Sequence, residues 1–129
     1  ALCSFNTNTR ELKFSGANTP LWVVRESEIF KYKATRQPVG SHTKRVKFDS
    51  QIIPVQKGDS IYLSSDGFPD QFGGEKGKKF LNKRFKELLI NIAKKPIAEQ
   101  SAFLQKCFSD WKGDYEQVDD VCVMGARVD

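Results

Sequence analysis

The sequence lacks the features that mark several protein classes. Its 129 residues contain no apolar run near the roughly 20 residues that a membrane-spanning helix needs, and no signal-peptide pattern. Three cysteines, Cys3, Cys107 and Cys122, have spacings that suit neither a disulfide framework nor a zinc site. The only histidine, His42, has no other metal-binding residue at a suitable spacing, so we interpret it as solvated. These absences predict a cytoplasmic protein with reduced cysteines.

The composition predicts a folded domain with a basic surface. Hydrophobic residues make up 39% of the chain and aromatic residues 12%, which excludes a disordered chain. The length corresponds to one domain, residues 1–129. The net charge is +5, and basic residues cluster at two places, 44–47 and 76–84. A solvated basic face explains both clusters, and a patch that attracts phosphorylated or acidic partners is the alternative. Neither cluster matches a nucleic-acid motif, so we expect no nucleic-acid partner.

The apolar periodicity predicts an α+β domain. Alternating runs separated by turns predict strands at 1–5, 11–15, 21–25, 29–32, 48–55 and 61–64. Residues 68–77 are glycine-rich and predicted to form a mobile loop. Two amphipathic helices then follow; their apolar stripes consist of Leu81, Phe85, Leu88, Leu89 and Ile92, and of Ile97, Ser101, Leu104, Phe108 and Trp111. A final strand is predicted at 121–128, which gives a mostly antiparallel sheet with helices packed on one face.

Aspartates mark the ends of two predicted strands. Asp66-Gly67 follows the strand at 61–64, and one helical turn would return Asp70 to the side of Asp66. Asp119-Asp120 opens the last apolar run. If these strands are antiparallel neighbours, the carboxylates converge, and such a cluster needs cations such as Mg²⁺ or Mn²⁺ to neutralise it. The pattern therefore predicts half of a metal site, although ordinary turn residues give the same short motifs.

Several motifs together resemble the later part of the SpoIIE-type, PPM (PP2C-like) serine/threonine phosphatase domain. They are Ser-Gly-Ala-Asn-Thr-Pro-Leu-Trp at 15–22, Gly-Asp through Ser-Asp-Gly at 58–67, and Val-Asp-Asp-Val at 118–121. Residues 68–74 and 110–113 are similar to the version attached to bacterial sensor proteins. The resemblance covers essentially the whole chain, with the motifs in the family's order.

The resemblance implies a fold, a cofactor and a reaction. The fold is a sandwich of two antiparallel sheets with flanking helices, and the cofactor is a pair of Mn²⁺ or Mg²⁺ ions. In that family a metal-bridged water or hydroxide attacks the phosphorus of phosphoserine or phosphothreonine in line. Asp66 and Asp119 match metal ligands, and Asp70 matches the position of an additional, weaker site. Gly67 and Asp120 are adjacent to the metal, and Asp120 is expected to point away.

The sequence departs from the family pattern at its beginning. The family also takes ligands from an earlier aspartate, an Asp-Gly pair and a Gly-His-Gly loop, whereas no aspartate here precedes Asp49 and His42 lies in no such loop. The chain also starts abruptly with an apolar run. We therefore expect a domain truncated at its N-terminal side, missing early strands and inactive, or nearly so, on its own.

Two functions are consistent with these observations. The first is a phosphatase domain in bacterial signalling, attached to upstream sensor domains. A membrane-anchored sensor with this domain in the cytoplasm is one such arrangement. By family analogy its substrate is a phosphorylated regulatory protein such as an anti-sigma-factor antagonist. The alternative is a degenerate phosphatase-like module that binds a partner without catalysis. An exposed sheet edge is also expected to permit self-association.

Overall fold

A computed structural model describes residues 1–40 and 46–129. The predicted solvated histidine, His42, and half of the first basic cluster lie outside the described residues. The strands are β1 (Leu2–Asn6), β2 (Glu11–Ser15), β3 (Leu21–Arg25), β4 (Glu28–Tyr32), β5 (Gln51–Ile53), β6 (Ser60–Ser64), β7 (Phe72–Gly73), β8 (Lys78–Lys79) and β9 (Val123–Arg127). The helices are α1 (Gly67–Asp70), α2 (Leu81–Ala93) and α3 (Ile97–Lys112). None of these helices has the length and apolarity that a bilayer crossing requires.

The strands form two main antiparallel sheets and a small hairpin. One sheet has the order β1-β2-β5 and the other the order β4-β3-β6-β9. In the second sheet Trp22 lies opposite Tyr62, and Tyr62 lies opposite Gly125. This register places the end of β6 next to the start of β9, where Ser64 faces Val123. The end of β6 and the start of β9 are where the sequence places Asp66 and Asp119.

Strand β3 contributes to two separate cores because successive side chains point to opposite faces of the sheet. Leu21 and Val23 pack with residues of the first sheet, including Phe14, to form the interior of the sandwich. Trp22 and Val24 face the other way and pack beneath the helices. All four side chains are therefore buried, which makes β3 the central strand of the fold.

The helices cover the outer face of the four-stranded sheet. Phe85, Leu88, Leu89 and Ile92 of α2 are buried there, as the helical spacing predicts. Helix α3 ends before Gly113, whose positive φ of 51° suits a residue without a side chain. The resulting α+β sandwich with flanking helices confirms the predicted fold class.

Three predictions of local structure were wrong. The expected strand at 48–55 is only Gln51–Ile53, and the last strand begins at Val123 instead of 121. The expected loop at 68–77 contains α1, β7 and the turn before β8. Its glycines allow this compact structure, because a Cβ on Gly73 would lie 1.8 Å from the Trp111 carbonyl oxygen. Periodicity methods miss such short elements since two residues carry no period.

Three residues of the predicted apolar stripes are exposed, namely Ser101, Leu81 and Ile97. Leu81 is 56% exposed and Ile97 is 46% exposed, because both lie in the first turn of their helices. The only fully buried residue of α3 is instead the polar Gln100. Its side chain accepts a hydrogen bond from the Tyr62 hydroxyl (2.9 Å) and donates one to the Lys95 carbonyl (3.1 Å). Burial without an apolar side chain is possible here because both polar atoms are satisfied.

Candidate metal centre

Asp66 occupies the junction between β6 and α1. Its carbonyl oxygen accepts a hydrogen bond from the amide of Asp70 at 3.0 Å, so the chain turns through one helical turn there. Its side chain makes no capping hydrogen bond to α1. The carboxylate is exposed and can therefore reach a ligand in solution.

Ser65 joins this junction to the segment before β9. Its hydroxyl donates to the Asp120 carbonyl at 2.8 Å and accepts from the Cys122 amide at 2.9 Å. Its own amide donates to the Cys122 carbonyl, also at 2.9 Å. Three hydrogen bonds thus fix residues 120–122 against the end of β6.

Gly67 allows the same two segments to approach closely. A Cβ at this position would lie 2.3 Å from the Asp120 carbonyl oxygen and 2.9 Å from its carbonyl carbon. No side chain fits against backbone at that distance, so glycine is required for close approach and not for an unusual φ. The Ser-Asp-Gly sequence therefore has a structural role on each side of the aspartate, and Asp120 contributes through its carbonyl.

Asp66 and Asp70 line one concavity of about 250 Å³. The other residues that line it come from the loop before β3, from β3 and β4, from the end of β6, and from helices α1 and α2. They are Asn18, Thr19, Pro20, Trp22, Lys31, Ser64, Ser65, Pro69 and Asn82. One carboxylate oxygen of Asp70 lies 3.3 Å from the ammonium of Lys79. The concavity is thus lined mainly by oxygen-bearing side chains, with two carboxylates on one wall.

Asp119 is not among the residues that line this concavity. Its carboxylate accepts a hydrogen bond from the amide of Asp120 at 2.7 Å, and its carbonyl accepts one from the Gln117 side chain at 2.9 Å. Asp119 and Asp120 are both exposed. The structure therefore places Asp66 and Asp70 in one concavity, whereas the Asp119 carboxylate is hydrogen-bonded to the amide of Asp120.

The donor set suits a hard cation in kind but is incomplete. Carboxylate, amide and hydroxyl oxygens are the ligands that Mg²⁺ and Mn²⁺ prefer. Within residues 1–40 and 46–129, however, no three acidic, cysteine or histidine side chains come close enough to hold a metal ion. The described residues therefore form no metal site by themselves.

Sequence reasoning missed several contributors to this concavity. Lys31 and Asn82 belong to it, although neither is part of a motif or of an acidic cluster that could have indicated a site. Asn18 was noted only as part of a loop motif, yet its positive φ of 58° is a conformation that asparagine tolerates better than most residues. That combination of a loop and an αL-tolerant residue is the one sequence signal that could have indicated a functional loop.

A larger concavity, about 370 Å³, lies elsewhere, between α3 and β9. Tyr62, Gln100 and Leu104 are among its lining residues. Burial raises the pKa of the Tyr62 phenol above its ordinary value of 10.0. The cavity contains no carboxylate, so size alone does not identify the site of chemistry here.

Several solved structures that share this fold are phosphatase domains. The SiaA-PP2C domain of Pseudomonas aeruginosa is 32% identical and superposes with a TM-score of 0.84, over 94% of this chain and 47% of that one. The phosphatase domain of SpoIIE from Bacillus subtilis, in a manganese-presoaked form, is 17% identical with a TM-score of 0.72, over 99% and 55%. The PPM Ser-Thr phosphatase MsPP from Mycobacterium smegmatis, in complex with cacodylate, is 14% identical with a TM-score of 0.59, over 98% and 60%.

These matches define the class of the fold as that of PP2C-like (PPM) phosphatase domains, and the chain spans about half the length of the matched structures. The family model of Stage II sporulation protein E (SpoIIE) matches residues 1–129. The chain therefore belongs to the SpoIIE family, which confirms the resemblance seen in the sequence. A comparison with curated proteins gave no match.

Proposed function

We propose that this chain is part of a metal-dependent protein serine/threonine phosphatase. The observation that carries the proposal is the Asp66–Asp70 concavity, built on a Ser-Asp-Gly turn that is clamped to the Asp-Asp segment. It occurs in a chain of the SpoIIE family whose fold is that of PPM phosphatase domains.

Each residue has a role that follows from its position. Asp66 holds the metal, because its carboxylate is exposed in the concavity and free of capping contacts. Asp70 adds a second carboxylate, and Lys79 balances part of its charge. Asp119 is a further ligand, which requires its carboxylate to leave the Asp120 amide. Bound Mn²⁺ or Mg²⁺ would lower the pKa of water and neutralise phosphoryl oxygens.

The remaining ligands come from outside these 129 residues. Two carboxylates that share a concavity do not complete a two-metal site, and the matched phosphatase structures are about twice as long as this chain. We therefore expect the isolated chain to hydrolyse phosphomonoesters slowly or not at all. The complete protein acts in bacterial signalling in the cytoplasm, on a phosphorylated regulatory protein such as an anti-sigma-factor antagonist and under the control of sensor domains.

A degenerate binding module is the second candidate. It is favoured by one observation, the absence of a three-carboxylate cluster within residues 1–40 and 46–129. Such a module would retain the concavity and bind phosphorylated partners without turnover. Activity of the full-length protein decides between the two candidates.

The test is phosphate release from a phosphoserine peptide by the full-length protein in Mn²⁺. Asp66→Asn keeps the shape of the side chain and removes the charge, so we expect activity to fall at least about 100-fold, beyond the 10–100-fold typical of residues that only support a ligand. Asp114→Asn is the matched control, because Asp114 is also exposed but lies outside the concavity. Equal activity of the Asp66→Asn variant and the wild type would refute the proposed role. An inactive wild type would favour the binding module.

A further inference from the structure

A shallow basic groove adjoins the concavity that contains Asp66. The groove has a volume of about 160 Å³ and is lined by Asn18, Pro20, Lys31, Lys33, Ala34 and Arg36. Three of these residues, Asn18, Pro20 and Lys31, also line the acidic concavity. We propose that this groove binds acidic side chains that flank the phosphorylated residue of a protein substrate. This inference rests on the proposed phosphatase function.

The charges of the groove are available to a partner. Lys31, Lys33 and Arg36 are all exposed, and none is in an ion pair with another described residue. The Lys31 ammonium lies 5.0 Å from the centre of the Trp22 ring, which holds it at the boundary between the two depressions. Three cations without acidic partners create a positive potential that favours carboxylates.

The backbone under the groove is held by the same loop that bounds the concavity. The amide of Asn18 donates to the Thr35 carbonyl, and the amide of Thr35 donates to the Gly16 carbonyl, both at 2.9 Å. A Cβ on Gly16 would lie 2.5 Å from the Thr19 carbonyl oxygen and 2.8 Å from the Ala34 Cβ, so the two segments are closely packed. The groove therefore has a fixed position relative to the loop, at Asn18 and Pro20, that also lines the acidic concavity.

The two depressions suit the two parts of one ligand. The carboxylates of Asp66 and Asp70 repel a phosphate unless a cation lies between them, so the acidic concavity suits a metal-bound phosphoryl group. The neighbouring groove has the opposite charge and contains no carboxylate. A phosphorylated segment with acidic neighbours would match both depressions, whereas a segment with basic neighbours would be repelled by the groove. The groove thus selects substrates by the charge beside the phosphorylated residue.

The test compares the binding of two fluorescent peptides to the full-length protein in Mn²⁺, by fluorescence anisotropy. Each peptide contains a non-hydrolysable phosphonate analogue of phosphoserine, because the proposed activity would cleave the phosphate ester. One peptide has aspartates on both sides of the analogue and the other has serines. We expect the acidic peptide to bind about 10-fold more tightly at low salt. The difference is no larger because each exposed ion pair contributes little free energy alone. The double variant Lys33→Glu/Arg36→Glu should abolish that preference. The control Lys94→Glu/Lys57→Glu has the same charge change outside the groove and should retain it.

Three results would overturn the inference. The first is equal binding of the two peptides, and the second is an equal loss of the preference for the acidic peptide in the control variant. The third is equally strong competition by a single-stranded oligonucleotide, because it would indicate a general polyanion site. Hydrolysis of p-nitrophenyl phosphate, which has no flanking residues, tests the phosphatase function separately. If the protein does not hydrolyse p-nitrophenyl phosphate but still binds the acidic peptide more tightly, the phosphatase function is refuted and the role of the groove is not.

Discussion

Replacing Gly67 with alanine tests whether the junction of β6 and β9 depends on close backbone contact. The added Cβ would lie 2.3 Å from the Asp120 carbonyl oxygen, about 1 Å inside an ordinary carbon–oxygen contact. The obstacle is backbone, so a rotamer change cannot relieve the overlap. If the junction keeps its structure, the strain costs about 1–3 kcal/mol of stability. If the segment at 120–122 moves away instead, the three hydrogen bonds of Ser65 are lost, at a cost of about 1 kcal/mol each.

The higher helix propensity of alanine offsets at most about 1 kcal/mol of this cost. We therefore expect Gly67→Ala to lower the free energy of unfolding by about 2 kcal/mol and Tm by roughly 5–10 °C. Thermal unfolding followed by circular dichroism measures the loss, and hydrogen exchange of the Cys122 amide locates it.

Gly58→Ala is the control, because a Cβ there has no neighbour within 4 Å and only the positive φ of 92° opposes it. It should cost about 1 kcal/mol without faster exchange at Cys122. A Gly67→Ala variant with wild-type stability and wild-type exchange at Cys122 would refute the close-contact explanation.

Two further predictions concern buried polar pairs. Asp59 is 1% exposed and accepts hydrogen bonds from Arg25 Nε at 2.9 Å and Nη2 at 2.7 Å. Asp59→Asn should therefore lower the free energy of unfolding, measured in urea, by about 2–3 kcal/mol. Asp110→Asn, in an exposed ion pair, should lower it by less than about 0.5 kcal/mol, and an equal loss in the two variants would contradict the role of burial. Tyr62→Phe should cost about 1–2 kcal/mol at pH 7, because the Gln100 side chain loses its donor. Burial raises the folded-state pKa of Tyr62, so the folded state holds its proton more tightly and wild-type stability falls as pH rises above 10.0. The cost of Tyr62→Phe should therefore shrink above that pH, and a pH-independent cost would refute the assignment.

Much of the fold could be predicted from the sequence because the signals were periodic. The alternation in β2 and the helical spacing from Phe85 to Ile92 reflect burial directly, and both elements lie where they were predicted. The hairpin of β7 and β8 could not be predicted, since its stability comes from contacts distant in sequence. The Trp111 carbonyl and ring pack against Gly73 and Gly74, about 40 positions earlier in the chain.

The candidate site could be predicted only in part. The motif around Asp66 and the position of Asp70 led to one concavity, and the structure places both carboxylates on its wall. Convergence of Asp119 was expected from strand adjacency, but adjacency fixes the backbone and not the direction of an exposed side chain. The basic groove gave no sequence signal, because Lys31, Lys33 and Arg36 are spread across a strand end and a loop.

Self-association through a sheet edge remains a prediction. Strands β1 and β9 are at the outer edges of their sheets within the described residues, and Met124 of β9 is 64% exposed. Exposed edges with apolar side chains recruit other strands. Sedimentation velocity at increasing concentration measures this, and a monomer throughout would contradict the expectation.

The most direct test of the central claim is a calorimetric titration of Mn²⁺ into this chain. We expect weak binding, because only part of the donor set is present. That binding should be lost in Asp66→Asn and retained in Asp114→Asn. Equal binding by the wild type and Asp66→Asn would contradict the claim that Asp66 is the centre of a metal site.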